Sequence, residues 1–220
     1  NLQFGTKVEE VKREGVDLML ALDVSNSMLA EDLSPNRLER SKRAIYQLIQ
    51  ELHNDRLGII VFAGDAYVQL PITTDYSSAK LFLETIDTDI VPTQGTSIGA
   101  AINLAMESFD FKNGTSKSII VLTDGENHED DANEAAANAL SEGVTVHTIG
   151  MGSEKGGPIP IYKNGAQIDF RKDNQGNTVV TKLNESMLKE IATTGNGSYV
   201  RASNANAGLG IIMNEINKME

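Results

Sequence analysis

The sequence predicts an α/β fold: a central, mostly parallel sheet with one antiparallel edge strand and helices on both faces. Three observations carry this. Continuous apolar runs at residues 17–22 (DLMLAL), 57–62 (LGIIVF) and 118–123 (SIIVLT) fit strands buried on both faces. Segments with apolar residues at helical spacing alternate with them, and such alternation folds into right-handed parallel units. Two of the runs end in a carboxylate, Asp23 and Asp124, at the strand ends where open α/β sheets hold ligands.

The elements follow in order. After the first strand, Ser34-Pro35 or Asn36, with Glu39 behind, starts a helix whose Leu38, Ile45, Leu48, Ile49 and Leu52 share one face. Beyond the second strand, Ala63-Gly64-Asp65 is too short for a crossover, so residues 66–70 should return antiparallel. Ala79, Phe82, Leu83 and Ile86 keep a helical period, as do Ile98, Ala101, Ile102, Ala105, Met106 and Phe109, on either side of a loop at 87–96. The third strong strand, 118–123, precedes an alanine-rich helix at 131–140 stopped by Gly143, and a strand at 144–149. Residues 156–181 break the alternation. They are rich in Gly, Pro and Asn, with β-prone pieces at 159–162, 166–170 and 178–181, and are expected to form a β-hairpin-like insertion on the sheet's edge or rim. A helix at 184–192, a strand at 198–201 and a terminal helix carrying Leu209, Ile212, Met213 and Ile216 complete one domain over 15–220, with 1–14 as a lead-in.

Composition narrows the function. The 220 residues hold 19 Lys plus Arg against 31 Asp plus Glu, a net charge of −12, which argues against binding to nucleic-acid backbones. Cys is absent, so disulfides, thiolate zinc sites and a cysteine nucleophile are excluded. No apolar run approaches the roughly 18–20 residues that cross a bilayer, and no signal-peptide pattern opens the chain. The start at Asn1 and the ending at Glu220 suggest a piece of a longer protein. No G-x-G-x-x-G follows the first strand, and neither a P-loop nor G-x-S-x-G is present. The phosphatase pattern with a second Asp two positions on has Ser25 there instead. The chain is therefore expected not to be an enzyme, with a metal-assisted phosphohydrolase and an ion-independent scaffold as the alternatives.

Asp23, Ser25 and Ser27 (D-x-S-x-S) put a carboxylate and two hydroxyls in one tight loop, and Asp124 adds a second carboxylate from another strand. All are hard oxygen donors, suited to Mg²⁺. The loop 92–97 (PTQGTS) brings another hydroxyl from Thr96, with Thr93 and Ser97 as alternatives. Asp and Ser are also favoured in plain capping and turn chemistry, so D-x-S-x-S alone is a weak signal. Glu126, His128 and Asp65 are candidates for a partner-contacting rim, within or facing the acidic cluster 126–131. Glu31 and Asp32 are expected to be ordinary surface residues, and Met28 to fill a gap under the serine loop. His53 and His147 lack spaced partners.

In this order, Asp23, Ser25, Ser27, Thr96 and Asp124 resemble the metal-ion-dependent adhesion site of the von Willebrand factor A domains. The resemblance implies that family's three-layer, Rossmann-like fold and a metal-dependent protein-binding module. It implies a divalent ion, Mg²⁺ with Mn²⁺ or Ca²⁺ as alternatives, held directly by the serines and threonine and partly through water by the aspartates. One position is left for a partner's Asp or Glu. The runs ALDVSNSMLAEDLSPNRLE, VFAGDAYVQLPITTDYSSAK, PTQGTSIGAAI, VLTDGENHED and GSEKGGPIPI, followed by FRKDNQGNTVVTKLNESMLKEIA, are similar to the Bat (aerotolerance-associated) membrane proteins of bacteria. That similarity spans nearly the whole chain and includes the insertion. It implies a domain facing the periplasm from an inner-membrane anchor, with partners among other components of a membrane complex.

Overall fold

Along β1 (Asp17–Asp23) the side chains divide by parity: Leu18, Leu20 and Leu22 enter one hydrophobic core, Met19 and Ala21 the other, and all are fully buried. A period of two on a strand covered from both sides has this result. The computed structural model describes residues 15–126, 131–202 and 205–219, the side chains of 205–208 excepted. Numbered in chain order, β1 lies inside a six-stranded sheet with β2 (Arg56–Phe62), β3 (Ala66–Thr73), β4 (Lys117–Thr123), β5 (Val144–Gly150) and β10 (Asn196–Arg201). The strand order is β10-β5-β4-β1-β2-β3, and only the β2–β3 pairing is antiparallel.

Helices cover both faces. α1 (Arg37–Glu51), α2 (Tyr76–Glu84) and α6 (Ala205–Ile216) pack on the core that holds Leu18, Leu20 and Leu22. α3 (Ile98–Ser108), α4 (Ala132–Ser141) and α5 (Glu185–Thr194) pack on the core that holds Met19 and Ala21. The three-layer α/β expectation is thus observed. Of the alternative starts for the first helix, Asn36 is the cap: its side chain accepts the Glu39 amide at 2.8 Å. β3 runs three residues further than expected, through Pro71 to Thr73. A proline is tolerated there because β3 is an edge strand, and one side of its backbone needs no partner. β10 starts two residues earlier than expected, at Asn196, because Gly197 lets the chain lie against β5. A Cβ at Gly197 would stand 2.2 Å from the Val146 carbonyl oxygen.

Residues 157–181 join neither edge of the sheet. β6 (Gly157–Pro158) pairs with β9 (Val180–Thr181) as a short root, and β7 (Pro160–Lys163) pairs with β8 (Ala166–Phe170) as a hairpin above it. Asn164 and Gly165 turn the hairpin with φ of 52° and 78°, the left-handed pair that a tight two-residue turn requires. Of the two expected placements, edge or rim, the ribbon takes the rim, fastened near Asp32 and Ser153.

Connecting β1 directly to its two neighbours places the strand-order reversal between β1 and β4, whose carboxyl ends lie side by side. Elsewhere one buried titratable group is left over. His147 on β5 is fully buried, its Nδ1 accepts the Ser198 amide at 3.0 Å, and its Nε2 has no partner among the described residues. Burial pulls its pKa down from 6.5 to about 4, against the opposing pull of Glu215. The unfolded chain therefore binds a proton at a pH where the folded chain does not, and stability falls as pH drops from about 6.5 to about 4. Denaturant titrations across this window should show a flatter pH dependence in His147→Gln, by about 3 kcal/mol at the acid end. Parallel curves for the two proteins would refute the assignment.

Candidate metal site

Each predicted donor is placed by a different local device. Asp23 ends β1, and its Oδ1 accepts the Ser25 amide at 2.8 Å, which turns the chain sharply out of the strand. A single 3₁₀ turn, Asn26–Leu29, follows, and its Met28 is fully buried in the core, as expected for a gap filler. That anchor holds the serine loop down on the sheet. The Ser25 and Ser27 hydroxyls meet at 2.9 Å.

The loop bearing Thr96 is tied to the same edge from two sides. Ser97 donates its hydroxyl to the Gly64 carbonyl at 2.9 Å and its amide to the Ala63 carbonyl at 2.8 Å. Gln94 accepts the Asn26 amide at 3.0 Å, which joins this loop to the serine loop. Of the three hydroxyls the sequence left open, Thr93 is exposed and Ser97 is engaged, whereas Thr96 is buried and its hydroxyl has no hydrogen-bond partner among the described residues.

Asp124 follows β4, and both its oxygens are held: Oδ1 accepts the Glu126 amide at 3.1 Å, and Oδ2 accepts Arg37 Nη1 at 2.8 Å. Thr123, the last residue of β4, donates to Asp23 Oδ2 at 2.6 Å, so the two strand ends are cross-tied beneath the loops. Gly125 takes φ 76° where a Cβ would come within 2.9 Å of the Asn184 carbonyl oxygen, and only glycine fits both demands.

The five candidate donors are each 8% exposed or less. Burial together with the neighbouring charge of Asp124 pushes Asp23 up to about 7. Two carboxylates buried side by side repel, and positive charge placed between them relieves that cost. Among the described residues no three His, Cys, Asp or Glu side chains gather as metal ligands, so the set is hydroxyl-rich rather than a carboxylate or imidazole cage. Three hydroxyls and two carboxylates fit a hard divalent cation by donor chemistry.

The rim residues fare differently. Glu126 is half-buried and committed: its Oε1 accepts the Thr181 hydroxyl at 2.8 Å and the Lys182 amide at 3.2 Å. Asp65 is exposed on the β2–β3 turn and opens onto a shallow pocket with Tyr67, Asn103 and Glu107, none of them a candidate donor. His128 lies outside the described residues, as do Glu129 and Asp130.

Asp32 corrects the expectation of an ordinary surface residue. Its two oxygens clamp Arg37 Nε and Nη2 at 2.8 and 2.9 Å, and Oδ2 also accepts the Ser153 amide at 2.8 Å. Arg37, fully buried, was missed altogether, as were Thr123 and Thr181. A signal for Arg37 was available. A cation in the first turn of a helix opposes the helix dipole and is stable only with anionic partners, and the sequence offers Asp32 and Asp124.

The von Willebrand factor type A domain profile matches residues 17–215. A crystal structure of an aerotolerance-related membrane protein from Bacteroides fragilis is 54% identical, with TM-score 0.89, over 93% of this chain and 100% of that one. The conserved hypothetical protein BatB from Bacteroides thetaiotaomicron is 53% identical, with TM-score 0.88, over 93% and 98%. A UPF0353 protein of Nocardia farcinica is 30% identical over 220 residues, 90% of this chain and 61% of its own length, so the chain spans only part of that curated relative. Proximal thread matrix protein 1 of the mussel byssus, in a structure with a zinc-occupied MIDAS motif, shares the fold at 17% identity and TM-score 0.66, over 93% of this chain and 45% of that one. With profile, sheet order and similar structures in agreement over the same residues, the chain belongs to the von Willebrand factor type A domain family.

Proposed function

We propose that the chain is a metal-dependent protein-binding module. Ser25, Ser27 and Thr96 hold a divalent cation together with Asp23 and Asp124, and an Asp or Glu of a partner protein completes the site. What supports this is that four nearly buried oxygen side chains, Asp23, Ser25, Ser27 and Asp124, follow the ends of two adjacent strands, while buried Thr96 sits in a loop tied to the serine loop through Gln94 and its hydroxyl has no hydrogen-bond partner among the described residues. When bound, the ion supplies one open position for an anionic oxygen. The chain's own residues do the rest. Thr123 and the Ser25 amide orient Asp23, Arg37 and the Glu126 amide orient Asp124, and Ser97 and Gln94 hold the threonine loop against the serine loop. Donor hardness favours Mg²⁺, and Mn²⁺ or Ca²⁺ meets the same oxygens.

A non-enzymatic role is supported by the sequence, which carries no G-x-S-x-G, no P-loop and no second Asp two positions after Asp23. The similar Bacteroides fragilis protein is described as a membrane protein, which supports reading the chain as part of a membrane-anchored protein; its placement on the periplasmic side, with a partner in a membrane complex, is part of the same proposal. No helix among the described residues is long and apolar enough to cross a membrane. One observation favours an ion-independent scaffold instead: every oxygen of Asp23 and Asp124 already has a hydrogen-bond partner within the protein.

Two measurements separate these readings. At an ion concentration of about 100 times Kd, binding to the folded state alone adds roughly 2.7 kcal/mol, a rise in Tm of about 5–10 °C for a chain of this size. Mg²⁺ or Mn²⁺ should give that rise, EDTA should reverse it, and Asp23→Ala and Ser25→Ala should abolish it. A Tm indifferent to the ion in the unsubstituted chain favours the scaffold. In pull-downs from native membranes, the partner should be retained with Mg²⁺ and lost with EDTA or with Ser25→Ala. Equal recovery in every condition would rule out the ion bridge.

A further inference from the structure

We infer that Arg37 is the positioning residue of the candidate ion site and couples it to the ribbon at residues 157–181, an inference that rests on the ion-binding reading above. The guanidinium has five N–H donors, and each has a partner. Nε and Nη2 bind Asp32 at 2.8 and 2.9 Å. Nη1 binds Asp124 Oδ2 at 2.8 Å and Thr181 Oγ1 at 3.0 Å, and Nη2 also binds the Thr181 carbonyl at 3.1 Å. Gly152, at φ 140°, leaves room for the group: a Cβ there would stand 2.9 Å from Arg37 Nε.

The geometry joins both ends of the ribbon to one site carboxylate. Chain entering the ribbon is held at Ser153, whose amide and hydroxyl bind the same Asp32 that clamps Arg37. Chain leaving it is held at Thr181, which accepts from Arg37 and donates to Glu126 Oε1 at 2.8 Å, with a longer contact to Asp124 Oδ2 at 3.3 Å. Opening the β6–β9 root therefore removes hydrogen bonds that aim Asp124. Coupling between two sites is reciprocal, so an ion that fixes Asp124 steadies the root, and a partner seated on the ribbon alters ion affinity by the same factor.

Arg37 also carries charge, which by itself weakens cation binding. Substitutions that keep the charge isolate the positioning effect. Arg37→Lys keeps the cation and loses the fork, and Thr181→Val keeps shape and charge and loses the hydroxyl. Hydrogen-bond partners of metal ligands typically govern affinity by about 10–100-fold. In Mn²⁺ titrations followed by electron paramagnetic resonance, both variants of the 220-residue chain should bind about tenfold or more weakly. In hydrogen exchange, Mg²⁺ should slow the amides of 157–181 in the unsubstituted chain, and this slowing should shrink in Thr181→Val. If Arg37→Lys fails to fold, Thr181→Val decides alone. Unchanged Mn²⁺ affinity in folded Thr181→Val would overturn the coupling and leave the ion site standing. Absence of Mn²⁺ binding to the unsubstituted chain would overturn both.

Discussion

A fully buried guanidinium organises the carboxyl edge of this sheet. An unpaired charge in a protein interior costs several kcal/mol, so Arg37 is tolerable only if every donor is met and its charge is balanced. Asp32 and Asp124 balance it, and Thr181 takes the remaining donors. Burial alone would lower the pKa of Arg37, but the Asp32 hydrogen bonds and the charges of Asp124 and Glu126 outweigh it and raise it. The position at the start of α1 opposes the helix dipole by about 0.3–1 kcal/mol. Two buried carboxylates outweigh that easily. Satisfying one side chain thus fixes where α1 begins, how the loop after the 3₁₀ turn runs, and where the ribbon is rooted.

Much of the fold was legible because buried strands in a parallel sheet cannot hide. β1, β2 and β4 are apolar runs with no alternative use for their side chains, and Asp23 and Asp124 stand out at their ends because a carboxylate there interrupts the apolar pattern. The D-x-S-x-S spacing is local, so it survives as sequence. Asp32, Arg37 and Thr181 were not legible in the same way. Arg37 meets Asp32, Asp124 and Thr181 across 5, 87 and 144 residues of chain; its place in the first turn of α1 signals a need for anionic partners, but nothing local selects Thr181 or the bidentate contact with Asp32. Asp32 in particular sits in a run, Glu31-Asp32, that has the composition of a solvated loop. Its burial is imposed by the ribbon folding over it, a tertiary event.

The choice among Thr93, Thr96 and Ser97 shows a second limit. All three hydroxyls share one loop, and composition cannot rank them. The ranking comes from backbone demand: Ser97 precedes α3 and spends its hydroxyl on the Gly64 carbonyl, a group left without a strand partner at the tight β2–β3 turn. Thr93 points its methyl group toward Gly64 closely enough that a Cβ on that glycine would stand 2.7 Å from it. Thr96 alone has neither task. Availability, rather than residue type, distinguishes it.

Charge explains why hydroxyls outnumber carboxylates in the set. Asp23, Asp124, Asp32 and Glu126 bring −4 against +1 on Arg37, a net −3, and a divalent ion would bring the proposed site to −1. Had Ser25, Ser27 or Thr96 been a carboxylate, the loaded site would carry one more negative charge and would repel an acidic partner more strongly. Neutral oxygens leave the ion's open position attractive to a carboxylate even on a chain whose net charge is −12. The same count shows why Arg37 must be held so firmly. A guanidinium free to swing would compete with the proposed ion for the same carboxylates, and the hydrogen bonds to Asp32 and Thr181 hold Arg37 to Asp124 Oδ2.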